Sequence, residues 1–216
     1  MRKITETDIE LMRAHRIWDL GNNVLYAMCK KYPGHQADDE IVAKVWLIGR
    51  SYAASIERRR NRNPKEFGDK FYENVVAPEM RKQPIDAWLD SIEQTCPPGS
   101  AQTVVVHKRL MDLFQSMTGL EKRSLASKYL HFHKPDAFFI YDSRVRKAIR
   151  KVVPRLNEIP EIAIGEFDPE YRDFARRCIW LRTNILETLG TVLKPRDIDK
   201  LLLMLNNEEA GSRTSR

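Results

Sequence analysis

Apolar residues along this chain recur at three- and four-residue intervals, the period that lines them up on one face of an α-helix. Thr7-x-x-Glu10 reads as a capping box, and Ile9, Ile17, Leu20, Val24, Leu25 and Met28 continue the pattern until Pro33-Gly34 stops it. Asp38-Asp39-Glu40 predicts a helix start, with Val42, Val45, Trp46, Gly49, Tyr52, Ala53 and Ile56 as its apolar positions. That helix runs out in the basic stretch ERRRNRNPK, where Arg58, Arg59, Arg60, Arg62 and Lys65 form a solvated helix end or a phosphate-contacting patch. Short helices broken by Pro78 and Pro84 fill residues 71–94, and the loop Thr95–Ser100 (TCPPGS) follows.

Val106, Leu110, Leu113, Phe114 and Met117 mark the next helix, closed by Thr118-Gly119. A further amphipathic helix (RSLASKYLHFH) carries Leu125, Tyr129 and Phe132 as its apolar stripe and leaves Arg123, Ser124, Ser127 and Lys134 to solvent. After a Lys134-Pro135-Asp136 turn, an apolar run ends at Asp142, which stands where an N-cap belongs. Val145, Ala148, Ile149 and Val152 then form the buried side of a basic helix. Its exposed face carries Arg144, Lys147 and Lys151, with Arg146 and Arg150 on the flank. Asp168-Pro169-Glu170 starts a helix using Tyr171, Phe174, Cys178, Leu181, Ile185 and Leu189, with Trp180 on the opposite side. A last helix after Pro195 uses Ile198, Leu201, Leu202 and Leu205. Strand signals are weak and confined to Thr103–Val106 and Ala137–Tyr141. The predicted class is all-α. Residues 1–205 form one compact two-lobed helical domain, with lobes at about 1–95 and 100–205 and a disordered tail at 206–216.

Charge changes the picture. The stretch Lys122–Lys151 holds nine Lys/Arg against Asp136 and Asp142, a net +7 that equals the charge of the whole 216-residue chain. A pI near 9.3 favours an acidic partner, with nucleic acid ahead of an anionic membrane. The sequence lacks a signal-peptide core and a membrane-span run, and Cys29, Cys96 and Cys178 are isolated, which fits small buried side chains in a reducing cytoplasm. His131-Phe132-His133 invites a metal reading, but residues two apart on a helix face different ways and no ligand set completes them. No metal or cofactor is expected.

The order helix, glycine turn, helix, Lys-Pro turn, apolar segment and Asp at a basic helix start resembles the helix-hairpin-helix DNA glycosylase superfamily. Its (V/I)-D-x-x-V-x-R pattern stands here as Ile140-Tyr141-Asp142-Ser143-Arg144-Val145-Arg146, with one extra residue before the Asp. The stretch Val45–Ala54 looks like the family's pocket-lining helix. The resemblance implies that Asp142 is the catalytic carboxylate and that Trp46, Arg50, Tyr52, His131 and His133 form a base pocket. It also implies that Gly119, Lys122, Arg123, Ser124, Lys128, Arg144, Arg146 and Lys147 contact DNA. Duplex DNA with a flipped nucleotide would be the partner, in the cytoplasm or, in a bacterium, at the nucleoid. Only Gly119 stands where the family has two glycines, no lysine aligns unambiguously as a nucleophile at 122–124, and iron–sulfur cysteines are missing. The implied activity is therefore monofunctional hydrolysis of a damaged or modified base, in repair or in defence against modified phage DNA.

Chemically, a flipped nucleotide losing its base develops oxocarbenium character, which an ionised carboxylate stabilises. A helix N-terminus beside Arg144 and Arg146 favours the ionised form. Against this, Asp142 can be simply an N-cap, His131 and His133 packed histidines, and Trp46 and Tyr52 core residues. Two other functions compete. A non-catalytic DNA-binding module would use Ser143–Lys151 as its contact helix. An all-α ribonuclease toxin would need an Arg and a His closer than Arg123 and His131, and Arg109 has no suitable partner.

Overall fold

The computed structural model describes residues 1–58, 68–162 and 165–214, with side chains through Glu208. All regular structure among them is helical. The elements are α1 (Glu6–Ala14), α2 (Asp19–Lys31), α3 (Asp38–Ser51), α4 (Asp69–Phe71), a π-helical turn (Tyr72–Val76), α5 (Ala77–Arg81) and α6 (Ile85–Asp90). There follow α7 (Ala101–Thr118), α8 (Arg123–His133), α9 (Ser143–Val152), a 3-10 turn (Leu156–Glu158), α10 (Pro169–Leu189) and α11 (Pro195–Thr214). Of the basic patch after α3, only Arg58 lies within the described residues; Arg59, Arg60, Arg62 and Lys65 lie outside them.

Several local expectations shift. The first capping box is Thr5 with Asp8, not Thr7 with Glu10: the Thr5 hydroxyl accepts from the Asp8 N–H at 3.2 Å, and Asp8 accepts from the Thr5 N–H at 2.9 Å. The helix that follows breaks at His15, and α2 turns Asn22, Leu25 and Cys29 inward, leaving Ile17, Leu20 and Val24 exposed. In α3 the buried face is Ile41, Lys44, Val45, Ile48 and Gly49, so Trp46 lies on the outside, 42% exposed. Thr103–Val106 belongs to α7, and Ala137–Tyr141 forms no strand. The α11 helix runs to Thr214, nine residues past the expected stop at Leu205 and through most of the segment read as a disordered tail.

Two hydrophobic cores result, and neither follows the 1–95/100–205 division. The first gathers α2, α3, the 69–81 segment, α6, α8 and most of α7, around Ile48, Phe71, Phe114 and Tyr129. The second joins α1 to α9, α10 and α11, around Met12, Ile149, Phe174 and Leu202. Thus the N-terminal helix closes the C-terminal core, and the Arg2 N–H donates to the Lys151 carbonyl at 2.8 Å. The boundary falls inside the apolar run, since Phe138 belongs to the first core and Phe139 to the second. Gly99 is required here: at φ +75° an added Cβ would meet the Phe139 ring at 2.7 Å.

Candidate functional site

The apolar run 137–141 crosses both cores without regular secondary structure, so no neighbouring strand satisfies its backbone. Buried peptide groups need partners, and α8 and its neighbours supply them from side chains. The Ala137 carbonyl accepts from the Gly99 N–H at 3.1 Å, and the Phe138 carbonyl pairs with His131 Nδ1 at 2.8 Å. The Phe139 carbonyl accepts from the Tyr171 hydroxyl at 3.0 Å. The Tyr141 N–H donates to Ser127 Oγ at 3.0 Å, and its carbonyl accepts from Lys128 Nζ at 3.2 Å. Ser127, Lys128 and His131 share one face of α8 because they are spaced three and four residues apart. That face holds the segment ending at Asp142.

Asp142 caps α9. Its Oδ1 accepts from the Arg144 N–H at 2.8 Å and the Val145 N–H at 3.2 Å. Its Oδ2 lies 3.4 Å from an Arg144 guanidinium nitrogen and 3.9 Å from Lys128 Nζ. The carboxylate side chain is 15% exposed and Lys128 only 1%. The Lys128 ammonium also donates to Ser124 Oγ at 2.6 Å and lies 5.6 Å from the centre of the Tyr52 ring. Burial lowers the Lys128 pKa, opposed by the negative charges of Asp142 and Asp199. Asp199, on α11, is buried beside Arg196, and burial pushes its carboxyl up to about 6, with Asp142 adding to the rise. Two carboxyls and a lysine therefore share one electrostatic neighbourhood between α8, α9 and α11.

The residues expected at this site scatter. Arg123 is spent on structure: its guanidinium binds Asp168 and reaches Glu170 at 2.8 Å. Arg146 binds Glu170 as well, so the cations at Asp142 are Arg144 and Lys128. Ser127, expected at the surface, is fully buried, and Lys128 is inside the protein rather than on a phosphate-facing surface. Ser124 and Lys122 are half-buried at the start of α8, with Lys122 Nζ donating to the Arg58 carbonyl at 2.5 Å. Gly119 is exposed and left-handed at φ +71°, ending α7. Arg144 and Lys147 are exposed on α9.

Of the pocket residues, Tyr52 approaches Asp142 through Lys128, and its hydroxyl donates to Asn22 Oδ1 at 2.7 Å. Arg50 pairs with Glu57 at 2.5 Å and sits 6.0 Å from the Trp46 ring centre, on the outer side of α3. His131 is enclosed between the Phe138 carbonyl and the Tyr26 hydroxyl, and burial lowers its pKa to about 4, so it is neutral at pH 7. His133 lines a separate cleft. Sequence reasoning missed Asn22, Asp199 and Arg196. Asn22 is buried, its Oδ1 accepts from the Tyr52 hydroxyl, and its Nδ2 has no hydrogen-bond partner. Nothing local in the sequence marks these three, because α2 and α11 join α8 only through the tertiary fold.

Among the described residues, no group of three His, Cys, Asp or Glu side chains is arranged to hold a metal ion. No helix among them is long and apolar enough to cross a membrane. A cleft of about 590 Å³, lined by Tyr26, Phe132, Asp86 and His133 among others, does not include Asp142 in its lining. No protein-family model, curated protein or solved structure matches the chain.

Proposed function

We propose that the chain is a DNA N-glycosylase-like hydrolase that flips out and removes a damaged or modified base. The observation that carries this reading is Asp142: a largely buried carboxylate whose Oδ1 is fixed by helix capping and whose Oδ2 faces Lys128 and Arg144 at the start of a basic helix. Held this way, the carboxylate needs little reorganisation to meet positive charge developing on a sugar. Arg144 and Lys147 would hold the backbone phosphates of the distorted duplex. Tyr52, half-buried with its ring 5.6 Å from Lys128 Nζ, is the aromatic side chain beside Lys128 that a flipped base would meet.

The test is incubation of the full chain with duplexes carrying assorted modified bases, followed by alkaline cleavage of abasic sites. Excision by wild type and its loss in Asp142→Asn, with DNA binding retained, is the expected result. Identical behaviour of the two proteins on every substrate defeats the catalytic assignment.

One observation favours a second reading, a DNA-binding module without catalysis. The two backbone bonds to Oδ1 are a complete N-cap, which needs no further role for Asp142. On that reading Asp142→Asn leaves DNA affinity unchanged, while Arg144→Ala weakens it.

A further inference from the structure

The cleft of about 590 Å³ lies where α2 and α8 both end against α6, and its size is that of small-ligand pockets. One part of the lining is apolar, with Tyr26 and Phe132 rings 4.7 Å apart, Leu89, Pro33 and Pro135. The other part is acidic. Asp86 and Asp90 are four residues apart on α6 and so share a face.

Asp86 is fixed in place rather than mobile. Its Oδ2 accepts from the His35 N–H at 3.2 Å, and its Oδ1 pairs with His35 Nδ1 at 2.6 Å. The His35 ring is itself held from the far side by the Tyr129 hydroxyl at 2.6 Å from Nε2. The α8 C-terminus lies at the cleft and adds negative potential, whereas the α2 end is met by the buried Lys44, whose Nζ donates to the Tyr32 carbonyl at 2.8 Å and to the Gly34 carbonyl. Lys30 and Lys134 line the same cleft on long stems that can carry their charge out to water, whereas Asp86 is held in place by His35. His133 lines the same cleft, and its buried Nε2 has no hydrogen-bond partner.

We infer that this cleft binds a small organic cation with an apolar body. An amidinium or ammonium group would sit against Asp86 and Asp90, and the hydrocarbon part would be buried against the Tyr26 and Phe132 rings. A phosphate or carboxylate ligand in the same place would meet Asp86 and Asp90 and be repelled. The inference does not depend on the nucleic-acid reading.

Three probes of nearly the same shape separate charge from shape: benzamidine (cation), benzamide (neutral) and benzoate (anion). Each is titrated into the full chain by calorimetry, with the histidine ring signals of His35 and His133 followed by NMR. Benzamidine should bind roughly tenfold or more tighter than benzamide, with benzoate weakest, and should shift both histidines. Asp90→Arg, at an exposed position, should abolish the preference for the cation without unfolding the protein. Equal binding of the three probes, no binding at millimolar concentration, or unchanged cation preference in Asp90→Arg overturns the inference.

Discussion

At the scale of single residues, Asp142 divides its work between its two oxygens, and the division can be tested. Asparagine keeps an acceptor oxygen and is as good an N-cap as aspartate. Asp142→Asn is therefore expected to cost about 1 kcal/mol or less in urea unfolding, chiefly through Lys128 losing its counter-charge. Asp142→Ala also loses the cap and should cost about 1–2 kcal/mol. A larger loss in Asn than in Ala contradicts the capping geometry. Asp142 was legible in the sequence because an acid before an amphipathic helix is a local signal. Lys128 was misread for the converse reason. A lysine among polar neighbours reads as a surface residue, and only the return of the chain at Tyr141–Asp142 gives it buried acceptors.

At the scale of elements, the 137–141 segment carries a weak strand signal in its sequence but forms no strand. Its β-branched and aromatic composition was visible; the substitution of side chains on α8 for a sheet partner was not, because it depends on contacts 7 to 14 residues distant. Ser127→Ala removes the acceptor of the Tyr141 N–H without opening room for water, so it should cost about 1–3 kcal/mol, seen as a lowered urea midpoint at unchanged slope. A loss under about 0.5 kcal/mol would mean that the bond is not holding the segment. The α9 helix offers a contrast between cations that look alike in sequence. Arg144 and Lys147 are exposed, whereas Arg146 is tied to Glu170. Arg144→Ala and Lys147→Ala should each lower the salt dependence of DNA binding by about one counterion, measured as the slope of log affinity against log salt. Arg146→Ala should instead lower stability and leave that slope in place; equal slopes in all three variants would sink the assignment.

At the scale of the molecule, the all-α class followed from the helical period, but the packing of α1 into the C-terminal core did not, since nothing in Ile9 or Met12 names its partner on α11. Burial elsewhere in the fold encloses His35, His107 and His131, and part of His133. Burial lowers His35, His107 and His131 to about 4, and burial together with His35, Lys44 and Lys134 holds His133 well below its ordinary value. In the unfolded chain each titrates near 6.5. Between those values the unfolded state binds more protons than the folded one, so stability rises with pH. The contribution is complete above pH 6.5 and is lost as pH falls toward 4. Asp199 works in the opposite direction: its folded pKa is raised to about 6, so it favours folding at low pH and loses that advantage as pH rises through 6. Four histidines outweigh one carboxyl, and the melting temperature should drop as pH is lowered from 7 to 5. His107 isolates the effect. It stacks on Tyr171 with ring centres 3.6 Å apart, Nε2 meets the Arg123 carbonyl at 3.2 Å, and Nδ1 has no partner. Phenylalanine keeps the stacked ring and cannot take up a proton. His107→Phe should therefore reduce the proton uptake on unfolding at pH 5 by roughly one, read from the slope of unfolding free energy against pH. An unchanged slope would mean that His107 is protonated equally in both states, and the enclosed neutral ring between α7 and α10 would be wrong.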